Sequence, residues 1–519
     1  MGALSEVEVV ESTLIFPTPR QKETTVPLSI LDATVTNFTP CGAVWFFDVP
    51  GEKIELSEWS LNLQNSLRAT LSSFPQFAGA LKKVEHVPEG DHTQRYGRLE
   101  ITFGAATDPG VGFSVAHSPL SLDEVAPTSQ RKTQELRSWN LSSPPTTFLP
   151  NAGVMKSPID PRNPAPPMLI QLTGFARRGI SLGVMIAHPL ADAQAMAVFM
   201  HRWSYEHSLL FANAQATNSL PPPGFSPSER PLFNPQLLDT RAAGDIDAAS
   251  PDERILEKAR SLPSSRYDWF HPAADGDPDR SLPPGLTRSM VKSPGTPLPM
   301  ADWDTKAPVS HRKLHFSAAQ IQKFWEAAGP SVSRHDAILA HVWSAVNRAR
   351  GLSTDDRDVS IHISFGMRRR LGLPPLFMGS PILLTSVTMA GKEASGSPAS
   401  DIAHKIRSTI ALYTEDAVKS RLHDLCYECA PQRFWEAFLG YRHMIFTSWA
   451  HLHLYEIDFG GRAKPRYVEP FMPLFDGLIC LMEGRSDGNG KHWCDGGVDV
   501  SLSLAADAME MLKVDPELW

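Results

Sequence analysis

The chain of 519 residues has 42% hydrophobic and 20% charged residues and a formal net charge of −8. This composition suits a globular protein with sizeable cores, and it argues against wholesale disorder, collagen-like repetition and a nucleic-acid binder, which would carry a basic footprint. The five cysteines form no disulfide framework, and their odd number leaves at least one thiol without a partner in the chain.

The N-terminal stretch MGALSEVEVVESTLIF holds Glu6, Glu8 and Glu11 and no basic segment ahead of an apolar core, so it does not read as a signal peptide. Glu6 also departs from the Ser or Thr of a myristoylation signal. No apolar run reaches the ~18 residues of a membrane span, and the cytoplasm is the expected compartment. Val44–Phe47 and Arg98–Phe103 read as strands. Between them Leu61, Leu63, Leu67, Leu71 and Phe74 recur at helical spacing, which predicts an amphipathic helix over 58–73, closed before Pro75. Met168–Phe175 and Ile180–Ala187 are apolar runs separated by Ala176-Arg177-Arg178-Gly179, a hairpin signal. Asp192 then caps a helix running through Met196, Phe199, Met200 and Trp203.

From Pro221 to Met300 the chain holds 15 of its 45 prolines. Neither long helices nor central strands tolerate that density, so this segment reads as a crossover linker with one short helix at Glu253–Arg260. Beyond it, Ala318–Ala328 and Asp336–Arg350 read as helices, the second preceded by Ser333. Val359–Phe365 and Ile382–Val387 read as strands, Ser400–Leu412 as a helix, and Gly477–Glu483 and Val498–Leu504 as late strands. Strands and helices mix on both sides of the linker, so the class is α/β or α+β. The expected division is 1–215, a linker at 216–305, and 306–519.

The segment Val184-Met185-Ile186-Ala187-His188-Pro189-Leu190-Ala191-Asp192 places a histidine at the end of an apolar strand and an aspartate four residues on, at a helix start. Neutral imidazole suits proton abstraction near pH 7. The spacing recurs at His271-Pro272-Ala273-Ala274-Asp275, inside the Pro-rich segment and without a strand before it, and that copy is expected by chance. Gly179-Ile180-Ser181-Leu182-Gly183 matches a GxSxG nucleophile elbow, but strand rather than helix follows Ser181. Thr447-Ser448-Trp449 could supply O–H and N–H donors to an oxyanion. Arg368-Arg369-Arg370 reads as a solvated strand end with one arginine in an ion pair. The Cys426/Cys429 pair and the alternation of His451 and His453 on a strand face lack further ligands, so no metal site is expected.

Taken in order, these segments resemble the BAHD family of acyl-CoA-dependent acyltransferases, in particular its fungal branch near the trichothecene 3-O-acetyltransferases. The family's HxxxD motif matches His188–Asp192. Its TSW segment matches Thr447-Ser448-Trp449. Its DFGWG motif matches Asp458-Phe459-Gly460, then departs at Gly461 and Arg462. The D-x-R-x-R-L stretch matches Arg368, Arg370 and Leu371, with Gly at 366 where relatives carry Asp, followed by Pro374, Pro375, Leu376 and Gly379. The early pattern matches Ser66-Leu67, Leu71, Phe74-Pro75, Phe77-Ala78-Gly79 and Leu81. Ala193 stands where many members have Gly.

The resemblance implies two chloramphenicol-acetyltransferase-like domains, each a mixed sheet flanked by helices, with the active-site channel between them. It implies acetyl-CoA or another acyl-CoA as co-substrate, a small-molecule alcohol as acceptor, no permanently bound cofactor and a monomer. It implies His188 as general base, Trp449 and Thr447 as oxyanion donors, and Asp192 in an ion pair with Arg368 that holds the loop aiming His188. Ser448 and Arg368 are the residues it assigns to the cofactor, and Asp458, Phe459 and Gly460 have a structural role. A carrier-protein-dependent condensation-type enzyme is the nearest alternative, but its usual HHxxxDG is absent, with Ala187 before His188 and Ala193 after Asp192. A non-catalytic binding protein on the same scaffold is a second alternative.

Overall fold

The computed structural model describes residues 7–519 apart from 50–54, 129–136, 142–143, 152–164, 178, 212–228, 272–281, 284, 292, 294, 460–463 and 486–491. Two mixed sheets organise the described residues. In the first, six strands lie in the order Glu8–Ile15, Val111–Ser121, Met168–Arg177, Ile180–Ile186, Cys41–Asp48 and Lys464–Pro470. In the second, seven lie in the order Ile382–Ala390, Asp358–Gly366, His443–Ser448, Leu478–Glu483, Val498–Ala505, Val309–Phe316 and Ser138–Trp139. Each sheet takes one strand from the far part of the chain. Lys464–Pro470 pairs with Cys41–Asp48, and Ser138–Trp139 pairs with Val309–Phe316. The first exchange buries Tyr467 and Val468 and sets Arg466 against Asp48 and Asp123.

Local sequence accounts for the elements that frame the site. Ile180–Ile186 is buried at every residue, as a strand with two strand neighbours and both faces covered must be. It pairs with Met168–Arg177 in the expected hairpin. Ser181 lies inside this strand, fully buried, so the GxSxG match presents no nucleophile. Leu56–Leu71 is the amphipathic helix; it starts earlier and stops sooner than the predicted 58–73. Leu63, Leu67 and Leu71 form its buried stripe, while Leu61 is 59% exposed. Two residues of helix turn the side chain by about 200°, which puts Leu61 opposite Leu63.

Ser333 and Asp336 cap Arg334–Ala349 reciprocally, and Glu253–Arg260 is present with the predicted bounds in the Pro-rich segment. Other expectations need correction. His451 and His453 lie beyond the strand His443–Ser448 in left-handed conformations, with φ of 67° and 54°, and share no strand face. Histidine is among the side chains that enter this region more readily than most. Cys426 lies in the last turn of the helix Glu415–Tyr427, fully buried, and Cys429 follows that helix half-buried. Burial pushes both thiols up, Cys429 to about 11, the reverse of a reactive pair. In the second HxxxD match, Pro272 to Asp275 lie outside the described residues.

Candidate active site

His188 opens a short 3₁₀ turn, His188–Leu190, directly after the strand Ile180–Ile186. A rigid strand end and the proline at 189 fix where its imidazole emerges. The side chain is half-buried, with the Phe38 ring edge-on at 5.4 Å. Desolvation lowers its pKa below the ordinary 6.5, and the nearby Asp192 charge opposes that shift without reversing it. A neutral imidazole is therefore present at pH 7.

Asp192 faces away from this imidazole. Its Oδ1 accepts the Ala195 N–H at 2.9 Å, which caps the helix Ala193–Phe211. Its two oxygens also take a bidentate pair from Arg368, at 2.6 and 2.9 Å, with both side chains buried. Arg368 spends its remaining donors on Phe377 O at 2.8 Å, Gly379 O at 3.2 Å and Gln194 Oε1 at 3.4 Å. A guanidinium has five N–H groups, and all five are used inside the protein. Arg368 thus holds Asp192 and the 377–379 loop, and the cofactor assignment suggested for it is corrected: no donor remains for a phosphate. Arg370 is likewise engaged, donating to Tyr413 O and stacking over Phe365.

The Gly379-Ser380 dipeptide is the point where these elements meet. Gly379 O accepts the Asp192 N–H at 3.2 Å. The Ser380 hydroxyl lies 2.5 Å from His188 O and 3.2 Å from His188 Nδ1. The Ser380 N–H donates to Asp32 Oδ1 at 2.7 Å. Neither Ser380 nor Asp32 stands out in the sequence. Ser29-x-x-Asp32 is legible only as a helix cap, which it also is, at Ile30–Thr34. Ser380 is 192 positions from His188 and has no motif around it.

Thr447, Ser448 and Trp449 close the strand His443–Ser448 and continue past it. Thr447 pairs with Cys480 in the second sheet, and Cys41 pairs with Ile186, two residues before His188, in the first. Trp449 is 5% exposed and belongs to the same buried apolar cluster as Ala187, Leu190 and Ala191, which flank the His188 turn. Thr447 thus lies one strand pairing from Cys480, and Trp449 shares the buried apolar cluster with the residues around the His188 turn. The Ser448 hydroxyl accepts the Ala450 N–H at 3.4 Å in a local turn.

The loop beyond Trp449 is tied to the first sheet's helix. His201 Nε2 pairs with Leu452 O at 2.9 Å, and Ser204 Oγ accepts the Phe459 N–H at 2.9 Å. The Phe459 ring packs against Phe47, Trp203 and His207. Asp458 lies beside it, half-buried, while Gly460, Gly461 and Arg462 lie outside the described residues. Among the described residues, no group of three or more His, Cys, Asp or Glu side chains could hold a metal ion.

The model of the Transferase family matches residues 5–215 and 297–519, on both sides of the Pro-rich segment. The chain belongs to the BAHD acyltransferase family. Among the relatives of this BAHD enzyme is "Acyltransferase AFT15-1" of Alternaria alternata, 29% identical over 489 residues, covering 92% of this chain and 90% of the relative. "Acyltransferase abl6" of Leptosphaeria maculans is 26% identical over 530 residues, covering 99% and 98%. Among solved structures, TRI101 of F. graminearum, complexed with coenzyme A and deoxynivalenol, superposes with a TM-score of 0.63 at 17% identity, over 95% of this chain and 98% of that one. Vinorine synthase superposes with a TM-score of 0.61 at 18% identity, over 98% and 96%. The two-sheet architecture is therefore that of the BAHD acyltransferases.

Proposed function

We propose that this BAHD acyltransferase moves an acetyl group from acetyl-CoA to a hydroxyl of a fungal secondary metabolite, a terpenoid, polyketide or alkaloid, with His188 as general base. The observation that carries the reading is a half-buried imidazole at the end of a rigid strand, held by Ser380 and with burial favouring its neutral form. The fungal relatives named acyltransferases, and a fold neighbour complexed with coenzyme A and deoxynivalenol, support the donor and acceptor classes.

The reaction needs no covalent intermediate. His188 takes the proton from the acceptor hydroxyl as its oxygen attacks the thioester carbonyl. Positioned base catalysis of this kind contributes typically ~10²–10⁴-fold. The carbonyl oxygen becomes an oxyanion, for which the Trp449 indole N–H and the Thr447 hydroxyl are the proposed donors. Collapse breaks the carbon–sulfur bond, and the departing thiolate takes back the proton from the imidazolium. Ser448 is proposed to line the pantetheine side of the site, and Asp458, Phe459 and Gly460 to shape the loop behind it. Asp192, bound to Arg368, holds the turn that carries His188.

We also propose a monomer acting in the cytoplasm, divided at 1–215, 216–305 and 306–519; light scattering and cell fractionation test the first two points. No described helix is long and apolar enough to cross a membrane. The deciding experiment measures thiol release from acetyl-CoA with a panel of hydroxylated metabolites and one amine, for wild type and His188→Ala. Acceptor-dependent release that falls at least about a hundredfold in the variant is expected. Turnover untouched by His188→Ala would overturn the mechanism.

A further inference from the structure

We propose that Ser380, clamped by Asp32, is the positioning residue that fixes His188 as its Nδ1–H tautomer and leaves Nε2 as the proton acceptor. The inference rests on the reading of His188 as the base and specifies which nitrogen acts and what holds it.

The argument is one of counting protons. The Ser380 hydroxyl carries a single hydrogen and lies between two partners, His188 O at 2.5 Å and His188 Nδ1 at 3.2 Å. Two oxygens 2.5 Å apart repel unless a proton lies between them, because this is the short limit of an O–H···O bond. The Ser380 hydrogen is therefore spent on the His188 carbonyl. Its oxygen can then only accept from Nδ1, so Nδ1 carries the ring proton. In a neutral imidazole the lone pair is then on Nε2, on the far side of the ring from Ser380.

Ser380 is itself held from behind. Its N–H reaches Asp32 Oδ1 at 2.7 Å, and Asp32 Oδ2 takes the Ser29 N–H at 3.0 Å and the Ser29 hydroxyl at 2.7 Å. Asp32 is 1% exposed, so these contacts are dry and rigid. Gly379 makes the close approach possible. Its φ is 108°, and a Cβ there would come within 2.8 Å of Asp32 Oδ1. The buried carboxylates near the site thus divide the work. Asp192 with Arg368 fixes the backbone of the turn and the 379 carbonyl, while Asp32 with Ser380 fixes the ring. Asp192 is the charged group acting on His188, and Asp239 is the charged group acting on Asp32.

The test reads the tautomer without turnover. Nitrogen-15 NMR of the full chain with labelled histidine, assigned by subtracting the His188→Ala spectrum, should show a His188 ring protonated at Nδ1 and bare at Nε2. Ser380→Ala should lose that signature and lower kcat by roughly 10- to 100-fold with KM for acetyl-CoA changed less than about twofold, because the group acts on the base rather than on binding. Ser380→Thr, which keeps the hydroxyl, should stay within about threefold of wild type and retain the signature. A wild-type ring protonated at Nε2, a Ser380→Ala variant with kcat within about threefold of wild type, or a Thr variant as damaged as the Ala variant each overturns the proposal. Loss of the general-base reading would show separately, as turnover indifferent to His188→Ala, since the NMR readout does not depend on activity.

Discussion

The role proposed for His188 requires an imidazole that sheds its proton below neutral pH, and burial favours this. Desolvation disfavours the imidazolium and outweighs the Asp192 charge that favours it, and Asp192 is paired with Arg368 at 2.6 Å. The sign is definite. The base is active when unprotonated, so kcat/KM should rise through the His188 pKa and then stay level. The acid limb is expected below 6.5, the ordinary histidine value. A pH–rate profile with saturating acetyl-CoA measures it, and a limb at or above 6.5 would contradict a desolvated base. His188 and Asp192 were legible because strand, turn and cap follow one another in the chain. Arg368 was legible as a partner but not as a fully occupied one, since its acceptors at Phe377 and Gly379 are backbone carbonyls that any residue could supply.

At the scale of elements, the loop after the strand His443–Ser448 is the piece that crosses between the two sheets. It leaves the second sheet at Trp449 and reaches the helix Ala193–Phe211 through Leu452 and Phe459. Phe459 is its apolar anchor, 1% exposed among three rings. Phe459→Ala should cost about 3–5 kcal/mol in urea unfolding, the range for deleting a buried phenylalanine. Its kcat should fall far less than that of His188→Ala, because the role proposed for this loop is to shape the site and not to act on the substrate. An equal loss of kcat at unchanged stability would contradict this division. The helices with clear caps or apolar spacing were legible, as at Ser333, Asp192 and Glu253–Arg260, whereas Glu415–Tyr427 and Ala506–Lys513 were not. The turn around His451 and His453 was misread as strand because alternating polar and apolar residues carry the period of two whether or not the backbone is extended.

For the whole molecule, burying so many imidazoles makes stability depend on pH. Burial lowers His201 and His335 to about 4 and His311 and His362 to about 3. In the unfolded chain they take protons near 6.5. Below that pH the unfolded state binds more protons, so stability is lost as the pH falls. Asp32 and Glu483, raised to about 7 by burial, act the other way, because the folded state holds their protons first. Four histidines outweigh two carboxyls. The urea midpoint should therefore be lower near pH 5 than near pH 7, and an unchanged or higher midpoint would show that these imidazoles are not held neutral.

The sequence by itself determined the mixed α/β class, the hairpin that ends at Ile186, the cap at Asp192, the short helix in the Pro-rich segment and the order of segments that points to the family. All of these are local, since period, cap chemistry and proline density act within a few residues of chain. Tertiary structure alone decided that Lys464–Pro470 and Ser138–Trp139 complete sheets formed mainly by distant segments, and that the Trp449 loop is pinned to the helix behind His188. It alone brought Ser380, 192 positions away, to the His188 ring, and Asp32 to the Ser380 N–H behind it. Pairings over such separations leave no spacing to read. They are set by which surfaces can be buried together, and by the need of each buried donor and acceptor for a partner.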